Sequence, residues 1–389
     1  MPLPKFIDEL TYPSGPNARR LVSIRYILSI QPCVGNQSKD MAEIDGWRVA
    51  VDKDDFQPGS IVLFCEPDCF LPANNPMFTQ GFGGAPPMEY MGVKGYRVTS
   101  QLVGQEISQG KVFSLEDFPE VTKTFRDLVD YYNGEEDVAV MDIGLFCFAA
   151  RLSVAKWEAA FLSDECLGAM PPFIRKTSIE RHANCPNLFT KSKYFQRLYQ
   201  ESVKLDGCSM TVYFIGKNQP AYRSCNPARP GNSFTEGTKG RIGVCSHRKE
   251  IAENKDSLYW QAAIKYNLPQ QLHNLGQNIA IQGELCGSTI NGNREKFPDG
   301  EHDFFIFDVW DIDTKKYWAP DRTVQLAAQL NCKHVPVRGD FKIRSIAFNH
   351  QGLSNRAEAL NAEGLVYKCA EDGRRFKVHN RKWLLNHGE

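Results

Sequence analysis

At 389 residues the chain exceeds what a single hydrophobic core usually organises, so two domains, or three, are expected. Its 42% hydrophobic and 24% charged residues are ordinary for a folded globular protein and exclude collagenous, mucin-like and disordered classes. The formal net charge is zero, which speaks against a uniformly basic nucleic-acid binder, yet the charge is unevenly spread. Residues Lys111 to Met170 hold 12 acidic against 5 basic side chains, whereas Pro171 to Glu250 hold 14 basic against 5 acidic. The second stretch is where a polyphosphate or an RNA backbone could be held.

The opening Met1-Pro2-Leu3-Pro4-Lys5-Phe6 lacks the apolar core of a signal peptide, and the longest uncharged apolar run, Ile143 to Ala150, is too short to span a bilayer. An intracellular protein, cytoplasmic or nuclear and not secreted, with no membrane partner, is therefore expected. The 12 cysteines fit free thiols in a reducing compartment. No Cys-x-x-Cys pair exists, and Cys65 with Cys69 lacks a matching second pair, so no structural zinc site is expected.

In chain order, Arg19 to Leu115 reads as all-β. Leu21–Ile27, Trp47–Val51, Ile61–Phe64 and Tyr96–Val98 alternate or run apolar between turn signals such as Asp45-Gly46 and Gln57-Pro58-Gly59. Short strands at this spacing suggest a small barrel, an OB-like barrel being one candidate. Pro72 to Tyr90 reads as a Gly/Pro-rich loop or insertion. Residues 116–170 read as an acidic, partly helical linker whose clearest amphipathic stretch is Thr122 to Tyr132. From 171 to 389 strands alternate with helices such as Leu258–Tyr266 and Arg322–Leu330, giving an α+β domain with a surface loop at Asn218 to Gly240.

The segment with the most chemical promise is Lys204-Leu205-Asp206-Gly207. A lysine amine attacks phosphorus only when deprotonated, and burial with neighbouring cations is expected to depress its pKa. Gly207 would allow a close backbone approach to a nucleotide. The tetrapeptide alone is weak, since its pattern should recur by chance in roughly one chain in ten of this length. Its weight comes from the segments downstream of it in the chain: Arg241 to Arg248, Ile279 to Gly287 with Glu284, Phe304 to Trp310, Glu363 to Lys368, and Phe376 to Leu384.

In that order and spacing the chain resembles the covalent nucleotidyltransferase superfamily of polynucleotide ligases and messenger-RNA capping enzymes. Within it, the chain is most similar to ATP-dependent RNA ligases with an OB module before the adenylyltransferase domain. The resemblance implies a multidomain protein: an amino-terminal OB-like β-barrel over 1–115, the 116–170 linker, and an α+β, ATP-grasp-like adenylation domain over 171–389. It implies Lys204 as the nucleophile that carries AMP, with Asp206 and Gly207 beside the nucleotide. His247 or Arg248 falls at the ribose-contacting position. Glu284 contacts the ribose or the metal shell, and Phe305 is favoured over Phe307 as the ring stacked on the purine. Asp206, Glu284 and Glu363 hold Mg2+ or Mn2+, directly or through water. Lys377 grips the α-phosphate with Lys382 as its partner, because His379 stands where many relatives have a second lysine.

The lead-in Phe173-Ile174-Arg175-Lys176-Thr177 and Glu180-Arg181-His182-Ala183-Asn184 resembles the approach to the nucleophile in the same branch, and presents RNA-contacting or lysine-orienting groups. The implied function is sealing of 3′-hydroxyl and 5′-phosphate RNA ends in repair, with ATP as cofactor and RNA as partner. The oligomeric state is left open. A messenger-RNA guanylyltransferase or a DNA ligase would use the same lysine. Those relatives commonly have arginine where Ser209 stands, and a further OB domain where only seven residues follow Lys382. A non-catalytic RNA-binding protein on a ligase scaffold is the remaining alternative.

Overall fold

The computed structural model describes residues 19–157, 165–227 and 239–388. The amino-terminal Met1–Phe6 stretch and the middle of the Asn218–Gly240 loop lie outside the described residues.

The amino-terminal half begins with two three-stranded antiparallel sheets. One joins Val22–Tyr26, Ile61–Cys65 and Lys111–Ser114; the other joins Ser29–Pro32, Lys39–Ile44 and Trp47–Asp52. Alternation explains the second, since Trp47, Val49 and Val51 are buried and Arg48 and Ala50 are not. The strand Ile61–Cys65 instead reads as a continuous apolar run because both of its faces are covered. Val62 and Phe64 pack with Trp47, Val49 and Ile44, while Leu63 and Cys65 pack with Val22, Ile24 and the helices beyond. The expected barrel does not close: the strands fall into separate sheets, among them a hairpin of Ser100–Val103 with Glu106–Gln109 and a four-stranded sheet that includes Met88–Tyr90.

Two stretches carry more structure than their composition suggests. Within the expected Pro72–Tyr90 loop lies a short helix, Pro76–Gly81, whose cap is the Asn75 side chain accepting from Met77 N at 3.0 Å. The acidic stretch after Leu115 is not a bare linker. Its helix Pro119–Tyr131 buries Val121, Phe125 and Leu128 at helical spacing. With Ala139, Ile143, Phe146 and Phe148 they join the core under the first sheet. The acidic residues simply occupy the outer faces.

The carboxyl-terminal half is built on two sheets. Among the described residues the larger has eight strands, with Cys208–Gly216 and Ile279–Gly287 at its centre. The helices Leu258–Lys265, Leu268–Leu275 and Pro320–Gln329 pack on one face of it through Met210, Val212, Phe214 and Ile281. The second sheet has five strands, in which Leu198–Lys204 lies between Gly364–Cys369 and Val337–Lys342. Its apolar face, Tyr199, Leu365, Tyr367 and Phe376, is covered by the helices Ile343–Ile346 and His350–Glu358. The tetrapeptide Lys204 to Gly207 is the crossing from the smaller sheet to the larger. No helix among the described residues is long and apolar enough to cross a membrane.

The two halves meet through buried polar groups. Asp68 binds Arg19 at 3.0 Å, Arg181 at 3.1 Å and Arg97 at 3.3 Å, and these guanidinium groups hold its carboxyl well below the usual range despite burial. Asn184 accepts from Trp47 Nε1 at 2.8 Å and donates to Glu180 at 3.0 Å and to Glu66. Gly46 fits only without a side chain, since a Cβ there would stand 2.7 Å from His350 Cγ and 2.8 Å from Ala183 Cα. The Glu180-to-Asn184 segment thus docks the carboxyl-terminal half on the amino-terminal half.

Beside that contact His182 Nδ1 lies 3.1 Å from His350 Nδ1. Burial pushes His182 well below 6.5 and His350 down to about 4. Between pH 6.5 and 4 the unfolded chain therefore binds more protons than the folded one, and stability falls as the pH drops. Urea midpoints at pH 7, 5.5 and 4.5 should show a loss of roughly 1–3 kcal/mol from this pair, reduced in His350→Asn.

Candidate functional site

Lys204 ends its strand with the ammonium pointing into a cavity of about 1280 Å³ between the two sheets. Its Nζ donates to Glu363 Oε2. Burial opposes the charged form, but Glu363, Glu284 and Asp206 outweigh it and hold the Lys204 pKa above its ordinary value. The expectation of a depressed pKa is thus reversed by the carboxylates. Glu284, opposite Ser209 in the larger sheet, is pushed up to about 8 by burial and by Glu363 and Asp206, which outweigh Lys204. Two carboxylates and one ammonium share a small volume, an arrangement that an added cation would relieve.

Asp206, close enough to act on the charges of Lys204 and Glu284, makes its hydrogen bonds elsewhere. Its Oδ1 accepts from Asn291 at 2.7 Å, and its Oδ2 accepts from Arg294 at 2.8 Å and from Trp383 Nε1 at 3.0 Å. Burial raises its pKa, but Arg294 and Trp383 outweigh that and lower it. With both oxygens engaged, Asp206 anchors the carboxyl-terminal helix Arg381–Asn386 to the crossing. Gly207 serves the same packing: a Cβ there would stand 2.4 Å from Leu285 O and 2.7 Å from Cys286 Sγ. It admits the neighbouring strand, where a close approach to a nucleotide was expected. Trp383→Phe should lower stability by about 1–2 kcal/mol, read as a urea midpoint shift, because Asp206 loses a buried donor.

The cavity walls sort the remaining candidates. Ser202, Lys204, Val366, Lys368 and Lys377 line it from alternate positions of paired strands, with Ser202 opposite Val366 and Val366 opposite Lys377. Lys377 lies well below its ordinary pKa, through burial first and then the nearby charges of Arg181, Lys204, Arg19 and Lys156. Phe307 stands on the wall and Phe305 does not; the Phe305 ring packs edge-on to Phe297 at 6.3 Å, with Lys333 above it. His247 is on the wall, whereas Arg248 is exposed and outside it. Lys382, on the outer side of its helix, is exposed and does not reach the cavity. His379 takes the inward position two residues after Lys377, with Nδ1 3.5 Å from Glu363.

Residues 197–379 match the family model for RNA ligase, and residues 21–115 match an OB-fold domain. The structure is similar to an RNA ligase variant from Naegleria gruberi solved with ATP and manganese, at 27% identity over 95% of this chain and 100% of that one, with a TM-score of 0.74. It is similar to the Naegleria gruberi RNA ligase with pyrophosphate, at 27% identity, 95% and 99% coverage and a TM-score of 0.75. A further variant, with AMP and manganese, gives 28%, 94% and 98%, and 0.74. Residues 197–379 are an RNA ligase domain. No curated protein matches it.

In this RNA ligase the OB-fold half also reaches the catalytic cavity. Arg19 and Lys156 line it beside Arg175, Lys176 and Lys315. Sequence reading missed Arg19, Lys156 and Lys368. Lys368 was visible as the last residue of the Glu363-to-Lys368 segment, but its role depends on long-range partners: Nζ is 3.1 Å from Asp308 and donates to Phe307 O, fixing the backbone behind that ring. Among the described residues no three His, Cys, Asp or Glu side chains converge as a ready-made metal cage. Glu284 and Glu363 suit a hard cation that keeps most of its own water and bridges to phosphate. Asp206, with both oxygens occupied, does not fit as a direct ligand.

Proposed function

We propose that this ATP-dependent RNA ligase seals RNA 3′-hydroxyl and 5′-phosphate ends in RNA repair, with Lys204 carrying AMP between ATP and the RNA. The supporting observation is the Lys204 ammonium held by Glu363 beside Glu284, at the floor of a cation-lined cavity within an RNA ligase domain. ATP and a divalent metal, Mg2+ or Mn2+, are its cofactors. Glu284 and Glu363 would hold the metal, which would supply positive charge to offset that of the phosphate oxygens and of the carboxylates that retain the Lys204 proton.

The free Lys204 amine attacks the α-phosphorus, an N–P bond forms, the bond to the bridging oxygen breaks, and pyrophosphate leaves. Lys377, partly buried on the same cavity wall as Lys204 and two strands away from it, stabilises charge on the α-phosphate. His379 takes the position of a second cation only if protonated, so Lys377 carries this task alone at neutral pH. The RNA 5′-phosphate oxygen then displaces Lys204 from AMP, and a 3′-hydroxyl attacks the adenylated end and expels AMP. Positioning and electrostatics supply most of the rate.

The base site is assigned to Phe307, and the ribose contact to His247. Phe307→Ala should raise the ATP KM by about 5–50-fold, the worth of one base–aromatic stack, with Phe305→Ala within about threefold. Initial rates of lysine adenylylation against ATP concentration check this. The broader reading is tested with α-labelled ATP or GTP and a divalent metal, followed by sealing of nicked duplexes. An adduct with ATP and sealing where the 3′-hydroxyl belongs to RNA are expected. An adduct formed only with GTP, or preference for an all-DNA nick, would reject RNA repair.

A further inference from the structure

The helix Glu136–Ile143 in the amino-terminal half is apolar on two faces, and the fold covers one of them. Ala139, Val140 and Ile143 turn inward and pack, with Phe146, into the core beneath the strand Val22–Tyr26. On the outer side Val138 is 41% exposed, Met141 75% and Leu145, in the turn that continues the helix, 50%. A surface helix ordinarily shows its apolar side chains to the core and polar ones to water, and one that is apolar all round is ordinarily buried. At 3.6 residues per turn Val138, Met141 and Leu145 fall within about 60° of one another, so they form one stripe along the helix. The same spacing sets Asp137 on one flank of the stripe and Asp142 on the other. Asp137 accepts from the Tyr26 hydroxyl at 2.8 Å and Asp142 from the Tyr132 hydroxyl, which hold both carboxylates at its edges.

The charge around the stripe has one sign. From Asp127 to Ala150 the chain carries six carboxylates, Asp127, Asp130, Glu135, Glu136, Asp137 and Asp142, and no lysine, arginine or histidine. Glu135, Glu136 and Asp137 are exposed where the helix begins. None of these residues lines the catalytic cavity. We propose that the stripe is the docking site for a basic amphipathic helix of a partner protein, whose apolar side chains cover Val138, Met141 and Leu145 and whose lysines or arginines meet the acidic rim. The rim decides among occupants. RNA and anionic membranes carry the same sign of charge as the carboxylates and are repelled. A second copy docked through the same patch about a twofold axis would set carboxylate against carboxylate. Met141, unbranched and polarizable, adapts its shape to an incoming apolar side chain.

The test titrates the full chain into a fluorescein-labelled synthetic helix of about 18 residues, with leucines on one face and lysines on the other, at about 0.1 M salt. Control helices carry glutamates in place of the lysines, or serines in place of the leucines. Fluorescence anisotropy should give a Kd of about 10–100 µM for the lysine–leucine helix, as suits a small transient interface, and at least about tenfold weaker binding of each control. Met141→Ser with Leu145→Ser should weaken binding at least about fivefold. Glu135→Gln with Glu136→Gln should weaken it about threefold and flatten its salt dependence. Both double variants should keep the unfolding midpoint and the rate of lysine adenylylation, since the four side chains face solvent and lie outside the cavity. Should the serine pair unfold, the glutamine pair, which leaves the stripe intact, decides. Equal binding of the lysine and glutamate helices, or unchanged affinity in either folded variant, would overturn the proposal. Concentration-dependent self-association of the unmodified chain that is lost in Met141→Ser with Leu145→Ser would overturn it too, and would assign the stripe to a second copy.

Discussion

Lys204→Ala is expected to abolish both AMP transfer to the protein and sealing of unactivated RNA ends, a loss of at least about four orders of magnitude. The reason is chemical. No other amine takes its place: Lys368 is occupied by Asp308, and Lys377 belongs to a different strand with its own position on the wall. The variant should remain folded, because Lys204 contributes its ammonium to the cavity and leaves the packing of Leu205 with Cys286 and Val335 intact. Sealing of RNA that already carries the 5′-adenylate should survive in part, since that step needs no lysine nucleophile. Retained adenylylation in Lys204→Ala would show that another residue carries the nucleotide.

The second large effect is expected at Glu363. Its carboxylate holds the Lys204 ammonium on one oxygen and faces His379 on the other. Glu363→Gln keeps the shape and removes the charge, so the amine loses its anchor and a divalent cation loses one of two well-placed carboxylates. Adenylylation should fall by about 100–1000-fold, the usual worth of a preorganised electrostatic group. The metal concentration giving half-maximal rate should rise at least about tenfold. Asp206→Asn should behave differently, with a larger change in unfolding midpoint than in metal requirement, because its oxygens meet Arg294, Asn291 and Trp383. Equal metal effects at Asp206 and Glu363 would contradict this division of labour.

The sequence reveals most where local pattern and long-range environment agree. Trp47 to Val51 alternates because one face is buried, and Val121, Phe125 and Leu128 recur at helical spacing because one stripe is buried. The Asn75-Pro76 pair is also a legible helix start, a capping amide followed by proline, though the glycines and prolines around it mask the signal. The acidic composition after Leu115 suggested a linker because composition records the outer face and not the buried one.

The site was legible in its order of motifs and less so in its geometry. Phe305 and Phe307 share a face by period-two alternation in the sequence, and they are separated by the register irregularity at Phe307 and by the sheet's placement against the cavity. Asp206 looks like a ligand in the tetrapeptide, yet its partners Arg294 and Trp383 lie 88 and 177 residues away. Lys382 follows the start of a new helix at Arg381, which turns it outward, while His379 remains in the extended strand on the Lys377 face. Contributions from the OB-fold half, Arg19 and Lys156, depend entirely on how the halves dock.

The most direct test of the central claim is to incubate the unmodified protein with ATP and Mg2+ or Mn2+, digest it, and locate the modified peptide by mass. A single AMP on Lys204, labile in acid and stable in alkali as a phosphoramidate, is the expected result. Absence of the adduct, or AMP on any other residue, would contradict the account.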